Sequence, residues 1–254
     1  MPGLIQATWD DAPHLSEADK KALWDEIPEH EREARTKGIP MLGAGRIFPY
    51  PESLVFCDPI DIPKYWPKAY GFDADWNRTA ALWGAYDRDS DIVYVYSEHY
   101  MEQQPPAVHA QAIHGRGEWM TGAMDPATNG KINQTDGKAL AEEYRDLGLH
   151  LVNADNTVEA GIFALQKRMS AGKLKIFKSC VHTLAQWRIY RRENVKDSKG
   201  RDIRSQVVKH MDDLMDALRY LVMTGMMHAT VEPVVAEEWQ DYADSFARDE
   251  TTGY

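Results

Sequence analysis

The chain has 254 residues, 43% of them hydrophobic and 10% aromatic, enough to bury a core, which excludes a wholly disordered protein. Its apolar runs are short, Leu221 to Met223 being typical, so no membrane span is readable, and Met1 to Asp11 has no basic-then-apolar leader. Two cysteines, Cys57 and Cys180, give neither a disulfide framework nor a CxxC zinc pair and fit a reducing cytoplasm.

The net charge of −11 alone speaks against a nucleic-acid partner, but the charge is unevenly placed. Gln166 to Lys209 holds 13 Lys and Arg against three acids, a local +10 beside −21 for the rest. Screening confines phosphate attraction to about 8 Å at physiological salt, so a basic strip can grip DNA while a distant acidic face meets solvent or protein.

In chain order, residues 1–68 read as a lead-in arm or linker. Ser16 with Asp19 starts a capped helix followed by Leu23, Trp24 and Ile27. Gly38, Pro40, Gly43, Gly45, Pro49 and Pro51 then interrupt regular structure, and Pro59, Pro63 and Pro67 prolong the irregular course.

From residue 69 to 230 the pattern is that of one α/β domain. Strands are predicted at Tyr70–Asp73, Thr79–Tyr86 and Ile92–Tyr96, joined by short turns into an antiparallel meander. Pro105 and Pro106 open a helix through His109 to His114, and Trp119–Met124 is a fourth strand. Helix Gly137–Leu147, strand Leu149–Val152, helix Val158–Met169, strand Leu174–Phe177 and helix Val181–Ile189 follow. Asn194–Arg204 reads as a polar, basic loop and Val207–Met226 as the last long helix. Strands that first follow one another and then alternate with helices predict a mixed sheet flanked by helices. Residues 231–254 carry seven acids against one Arg and read as a mobile tail or docking peptide.

Three groups of acids fall where an α/β site would use them. Asp73 closes the first strand, Asp125 closes the fourth, and Asp212, Asp213 and Asp216 share the last predicted helix, with spacings of three and four bringing Asp212 and Asp213 to the side of Asp216. Carboxylates so placed repel one another unless positive charge sits among them, and a hard divalent ion such as Mg²⁺ is the simplest candidate. Competing motifs fail. Asp73-x-Asp75-x-Asn77 is no calcium loop, because its sixth position is Arg78 and its twelfth Gly84. His109 and His114 stand five apart, Cys180 and His182 lack an orienting acid, and no GxxxxGK[ST] is present.

Taken in order, Trp9-Asp10-Asp11-Ala12-Pro13-His14-Leu15, Gly71-Phe72-Asp73, Met124-Asp125-Pro126, Asp155-Asn156 with Val158–Gly161, Lys173–Phe177 and Asp212-Asp213-Leu214-Met215-Asp216-Ala217-Leu218-Arg219-Tyr220 resemble the nuclease domain of the large terminase subunit of tailed bacteriophages. The resemblance implies a ribonuclease H-like fold and an endonuclease that cuts double-stranded viral DNA as the genome is packaged, with two Mg²⁺ or Mn²⁺ ions at the site. It implies that Asp73 bridges both ions, Asp125 binds one and Asp216 the other, with Asp213 an added ligand or orienting group. Relatives often carry Gly or Trp-Gly after the first Asp, where Ala74 and Asp75 stand here.

The resemblance places residues 9–15 at the junction with an amino-terminal ATPase that this sequence lacks. It also implies portal or procapsid and small-subunit partners and action in the host cytoplasm. Lys173, Lys175, Lys178, Arg191 and Arg192 are the expected backbone contacts, since phosphate contacts position a duplex without reading it. A junction resolvase or transposase-like nuclease on the same fold is the alternative enzyme, and a non-catalytic capsid- or portal-docking module the alternative from another class.

Overall fold

A computed structural model describes residues 16, 19–21, 24, 45–132, 137–196 and 202–233. The 9–15 segment and the acidic stretch from 237 to 250 therefore lie outside the described residues. Seven strands form one sheet: β1 (Phe56–Cys57), β2 (Lys68–Ala74), β3 (Arg78–Asp87), β4 (Ile92–Glu102), β5 (Gly122–Met124), β6 (Leu151–Asn153) and β7 (Leu174–Phe177), in the order β1-β7-β4-β3-β2-β5-β6. β2, β3 and β4 are an antiparallel meander, while β5, β6, β7 and β1 join in parallel. The mixed sheet and its flanking helices agree with the sequence reading.

Both faces of the sheet are covered, so its central strands are buried on both sides. Along β3, Ala80 and Leu82 enter one core while Ala81 and Trp83 enter the other. The first core includes α4 (Val158–Ser170), α5 (Val181–Ile189) and α6 (Asp213–Met223). The second takes Ala110 and Ile113 of α2 (Pro106–His114) and Leu140 and Tyr144 of α3 (Leu140–Asp146). Among the described residues no helix is long and apolar enough to cross a membrane.

Four elements differ from expectation. The stretch read as a lead-in arm supplies Ile47, Phe48, Val55 and Phe56 to the first core, and after α1 (Glu52–Val55) it adds β1 as the edge strand against β7. Its apolar residues lie between prolines in runs too short to show a period. β4 continues to Glu102 because polar residues there have local uses. The Glu98 carboxylate accepts from the His182 and Thr183 amides at 2.9 and 2.8 Å, capping α5. His99 meets His109 at 2.9 Å, and burial pushes the His99 imidazole down to about 4.

The segment expected as a basic loop pairs as a hairpin, β8 (Arg192–Lys196) with β9 (Asp202–Val207). Val195, Ile203 and Val207 are the apolar residues of the two strands, too few to show a readable alternation. The last helix starts at Asp213, not Val207, because Met211 takes a left-handed φ of 53°, which breaks a helix. Asp212 is thus its N-cap and not a helical residue. At the other end of the chain, Ser16 and Asp19 form the expected capping box, with Asp19 N donating to Ser16 Oγ at 3.2 Å and Ser16 N to Asp19 Oδ2 at 3.1 Å.

Candidate active site

Strand direction and pleat bring the acids together. In β2, Ala69 and Gly71 face the α6 side while Tyr70 and Phe72 face the other core, so alternation turns Asp73 toward α6. β5 runs parallel to β2 with Phe72 opposite Met124, and Asp125 N donates to Phe72 O at 3.2 Å. Ala123 packs with Tyr220 of α6, so Asp125, two residues on, also turns to the α6 side. Neighbouring strands stand about 4.8 Å apart, which makes Asp73 and Asp125 lateral neighbours. α6 lies on Gly71 at Ala217, placing Asp216 one residue and Asp213 about one turn earlier, toward the acidic strand ends.

The electrostatics report the same convergence. Burial raises the Asp73 carboxyl, and Asp216, Asp125 and Asp213 push the same way against Lys131, so that it reaches about 7. The Tyr220 hydroxyl is raised by burial and then by Asp216, Asp73 and Asp125. Asp73, Asp125, Asp213 and Asp216 thus share one pole of the sheet.

Internal cations hold two of these acids. Asp216 Oδ1 accepts from Arg219 Nη2 at 2.7 Å and Nε at 3.3 Å, and its Oδ2 accepts from Lys209 at 2.8 Å. Lys209 also reaches Asp212 at 2.9 Å; burial acts downward on its ammonium, yet Asp216 and Asp212 hold it above its ordinary value. Asp213 accepts from Arg78 at 3.0 Å and from the Tyr100 hydroxyl at 3.3 Å. Asp125 caps the 3₁₀ turn Pro126–Gly130 through Ala127 N at 3.1 Å and accepts from Asn156 Nδ2 at 3.3 Å. Since Asn156 O also accepts from Arg219 at 3.3 Å, the chain Asp125–Asn156–Arg219–Asp216 joins acids on two elements.

The donor set is carboxylate oxygen, the chemistry that hard divalent ions select, and its mutual repulsion at Asp73 leaves a deficit of positive charge. In that sense the residues fit a divalent metal. Among the described residues no group of three or more acid, His or Cys side chains already stands arranged to hold one, the cations above being seated on Asp213 and Asp216.

Arg219, Lys209, Arg78 and Lys131 escaped the sequence reading as site residues. Arg219, three residues after Asp216, and Lys209, three before Asp212, left a local signal. The Arg219 side chain is 1% exposed. Arg219→Ala leaves Asp216 short of its buried partner and is expected to cost about 3–5 kcal/mol of stability in urea unfolding. A loss below about 1 kcal/mol would show the pair to be dispensable.

The five expected DNA contacts are dispersed. Lys173 precedes β7 and donates to Ser90 O in the β3–β4 turn, at the pole opposite Asp73. Lys175 donates to Leu54 O at 2.6 Å and Lys178 pairs with Asp58 at 2.8 Å. Arg192 grips Glu159 at 2.8 and 2.5 Å, and Arg191 is exposed beside it. Arg191 O accepts from Val208 N at 3.0 Å, one residue before the Lys209 that donates to Asp216, so the backbone of this segment runs beside the acidic side.

No family model matches the chain. The large terminase subunit of Enterobacteria phage LP7 is 32% identical over 232 residues, covering 85% of this chain and 45% of that protein, so the chain spans under half of that relative's length. The solved nuclease domain of the P22 large terminase superposes with a TM-score of 0.61 at 26% identity, over 75% of this chain and 96% of that one. The large terminase nuclease of thermophilic phage G20c with bound magnesium, 14% identical, shares the fold at a TM-score of 0.51, over 72% and 98%. The sheet order, the position of its acids and these likenesses agree on a ribonuclease H-like fold, and the chain belongs to the large terminase family, matching its nuclease domain.

Proposed function

We propose that this chain is a divalent-metal-dependent endonuclease that cuts double-stranded DNA while a phage genome is packaged into procapsids in the host cytoplasm. The observation that carries the reading is the gathering of Asp73, Asp125, Asp213 and Asp216 at one pole, where burial and like charge lift the Asp73 carboxyl to about 7. Asp73, Asp125 and Asp216 would hold two Mg²⁺ or Mn²⁺ ions, with Asp213 an added ligand; a domain of the same fold in phage G20c carries magnesium. Such ions supply the positive charge that activates water and stabilises the leaving oxygen of a phosphodiester.

The chain's own residues prepare that chemistry. Asn156 and the turn amide of Ala127 fix the Asp125 carboxylate, and Arg219 orients Asp216 from a buried position. Arg78 and Tyr100 hold Asp213. Duplex backbone contacts are proposed for Lys173, Lys175, Lys178, Arg191 and Arg192, of which Lys173 stands at the pole opposite Asp73. The portal or procapsid and the small terminase subunit are the proposed protein partners.

Plasmid DNA incubated with the protein and MnCl₂ should be nicked and linearised, with EDTA abolishing the cut. Linear duplex should be cut at least as well as a four-way junction. Strong preference for the junction would instead identify a resolvase, and absence of cleavage with every divalent ion would leave a docking module.

A further inference from the structure

Lys131 follows the 3₁₀ turn that Asp125 caps, and its side chain crosses to the end of β2. Its ammonium donates to Ala74 O at 2.7 Å and pairs with Asp75 at 3.0 Å, one and two residues beyond Asp73. Thr128, fully buried in the same turn, donates to the same Ala74 carbonyl at 3.4 Å. Asp75 is itself fixed: its Oδ1 accepts from Asn77 N at 3.1 Å, its amide donates to Arg78 O at 3.0 Å, and its carbonyl accepts from Thr79 Oγ1 at 3.3 Å. The segment after Asp125 is thereby stitched to the segment after Asp73, beyond the point where the β2–β5 pairing ends at Phe72 and Met124.

We infer that Lys131 is a positioning residue whose tie to Ala74 and Asp75 sets the separation of the Asp73 and Asp125 carboxylates, and so their grip on a divalent ion. This rests on the nuclease reading above. It also gives Asp75 a defined task as the anchor of that ammonium.

The alternative role for Lys131 is a counter-charge among acids, and the two roles predict opposite signs. Removing an ammonium from beside carboxylates strengthens cation binding by charge alone. Losing a group that orients metal-binding side chains weakens it, on the order of 10–100-fold. MnCl₂ is therefore titrated calorimetrically into the full chain as wild type, Lys131→Met and Lys131→Arg, alongside cleavage kinetics.

The expected result for Lys131→Met is Mn²⁺ binding weakened about tenfold or more, with kcat lowered and KM for DNA within about twofold of wild type. Lys131→Arg keeps the charge, but its planar fork does not reproduce a point donor to one carbonyl, so Mn²⁺ binding about threefold weaker is expected. Should Lys131→Met not melt cooperatively, the arginine variant decides, since wild-type Mn²⁺ affinity there overturns the proposal. Equal or tighter Mn²⁺ binding in folded Lys131→Met, or a rise in KM alone, also overturns it while the nuclease reading stands. A wild-type protein that neither binds Mn²⁺ nor cuts DNA overturns both.

Discussion

Asp73→Asn is expected to lower Mn²⁺-dependent plasmid cleavage on the order of a thousandfold while leaving the fold intact. The change is nearly isosteric and removes the one charge that Asp216, Asp125 and Asp213 all oppose. It should also alter stability in a sign-defined way. The folded Asp73 keeps its proton to about pH 7, whereas an unfolded Asp releases it near 3.8. The stabilisation fully present below pH 3.8 is therefore lost as pH rises to about 7, on the order of a few kcal/mol. In EDTA the asparagine variant should match wild type near pH 4 and exceed it at pH 8. Mn²⁺ should raise the Tm of wild type well above that of Asp73→Asn, because cations that bind the folded state stabilise it by mass action. Equal cleavage by the variant would remove Asp73 from the catalytic set.

Gly71→Ala is the second large effect, and it acts through the backbone. A Cβ at position 71 would lie 1.9 Å from Ala217 O and 2.7 Å from Leu221 N, both main-chain atoms of α6. No rotamer change relieves that overlap, so helix and strand must separate. The same contact sets Asp213 and Asp216 over Asp73, so stability and activity should fall together, with a loss of about 4 kcal/mol or more in urea unfolding. Gly130→Ala is the control: nothing lies within 4 Å of its added Cβ, and a change within about 0.5 kcal/mol is expected. A soluble, fully active Gly71→Ala protein would refute the close packing of α6 on β2.

How far the sequence could be read follows from where each signal resides. β2 and β3 were legible because, buried on both faces of the sheet, they read as short continuous apolar runs within one segment. The acids at 73, 125, 213 and 216 were legible as strand-end and helical positions, sharpened by the Asp216–Tyr220 motif. Two of the cations beside them, Lys131 and Arg78, were not. Lys131 reaches Ala74 across 57 positions and Arg78 reaches Asp213 across 135, separations at which no local pattern exists. β1 was hidden by its two-residue length, and the β8–β9 hairpin by its polar sequence. The basic strip was a true feature of charge, but β7 runs through the sheet, so its lysines separate toward opposite poles.

One measurement bears most directly on the carboxylate pole as a cation-binding nuclease centre: anomalous scattering from crystals soaked in MnCl₂. Mn²⁺ peaks in contact with the Asp73 carboxylate, shared with Asp125 on one side and Asp216 on the other, are the predicted result. Manganese bound only elsewhere on the protein, with Asp73 untouched at concentrations that support cleavage, would contradict it.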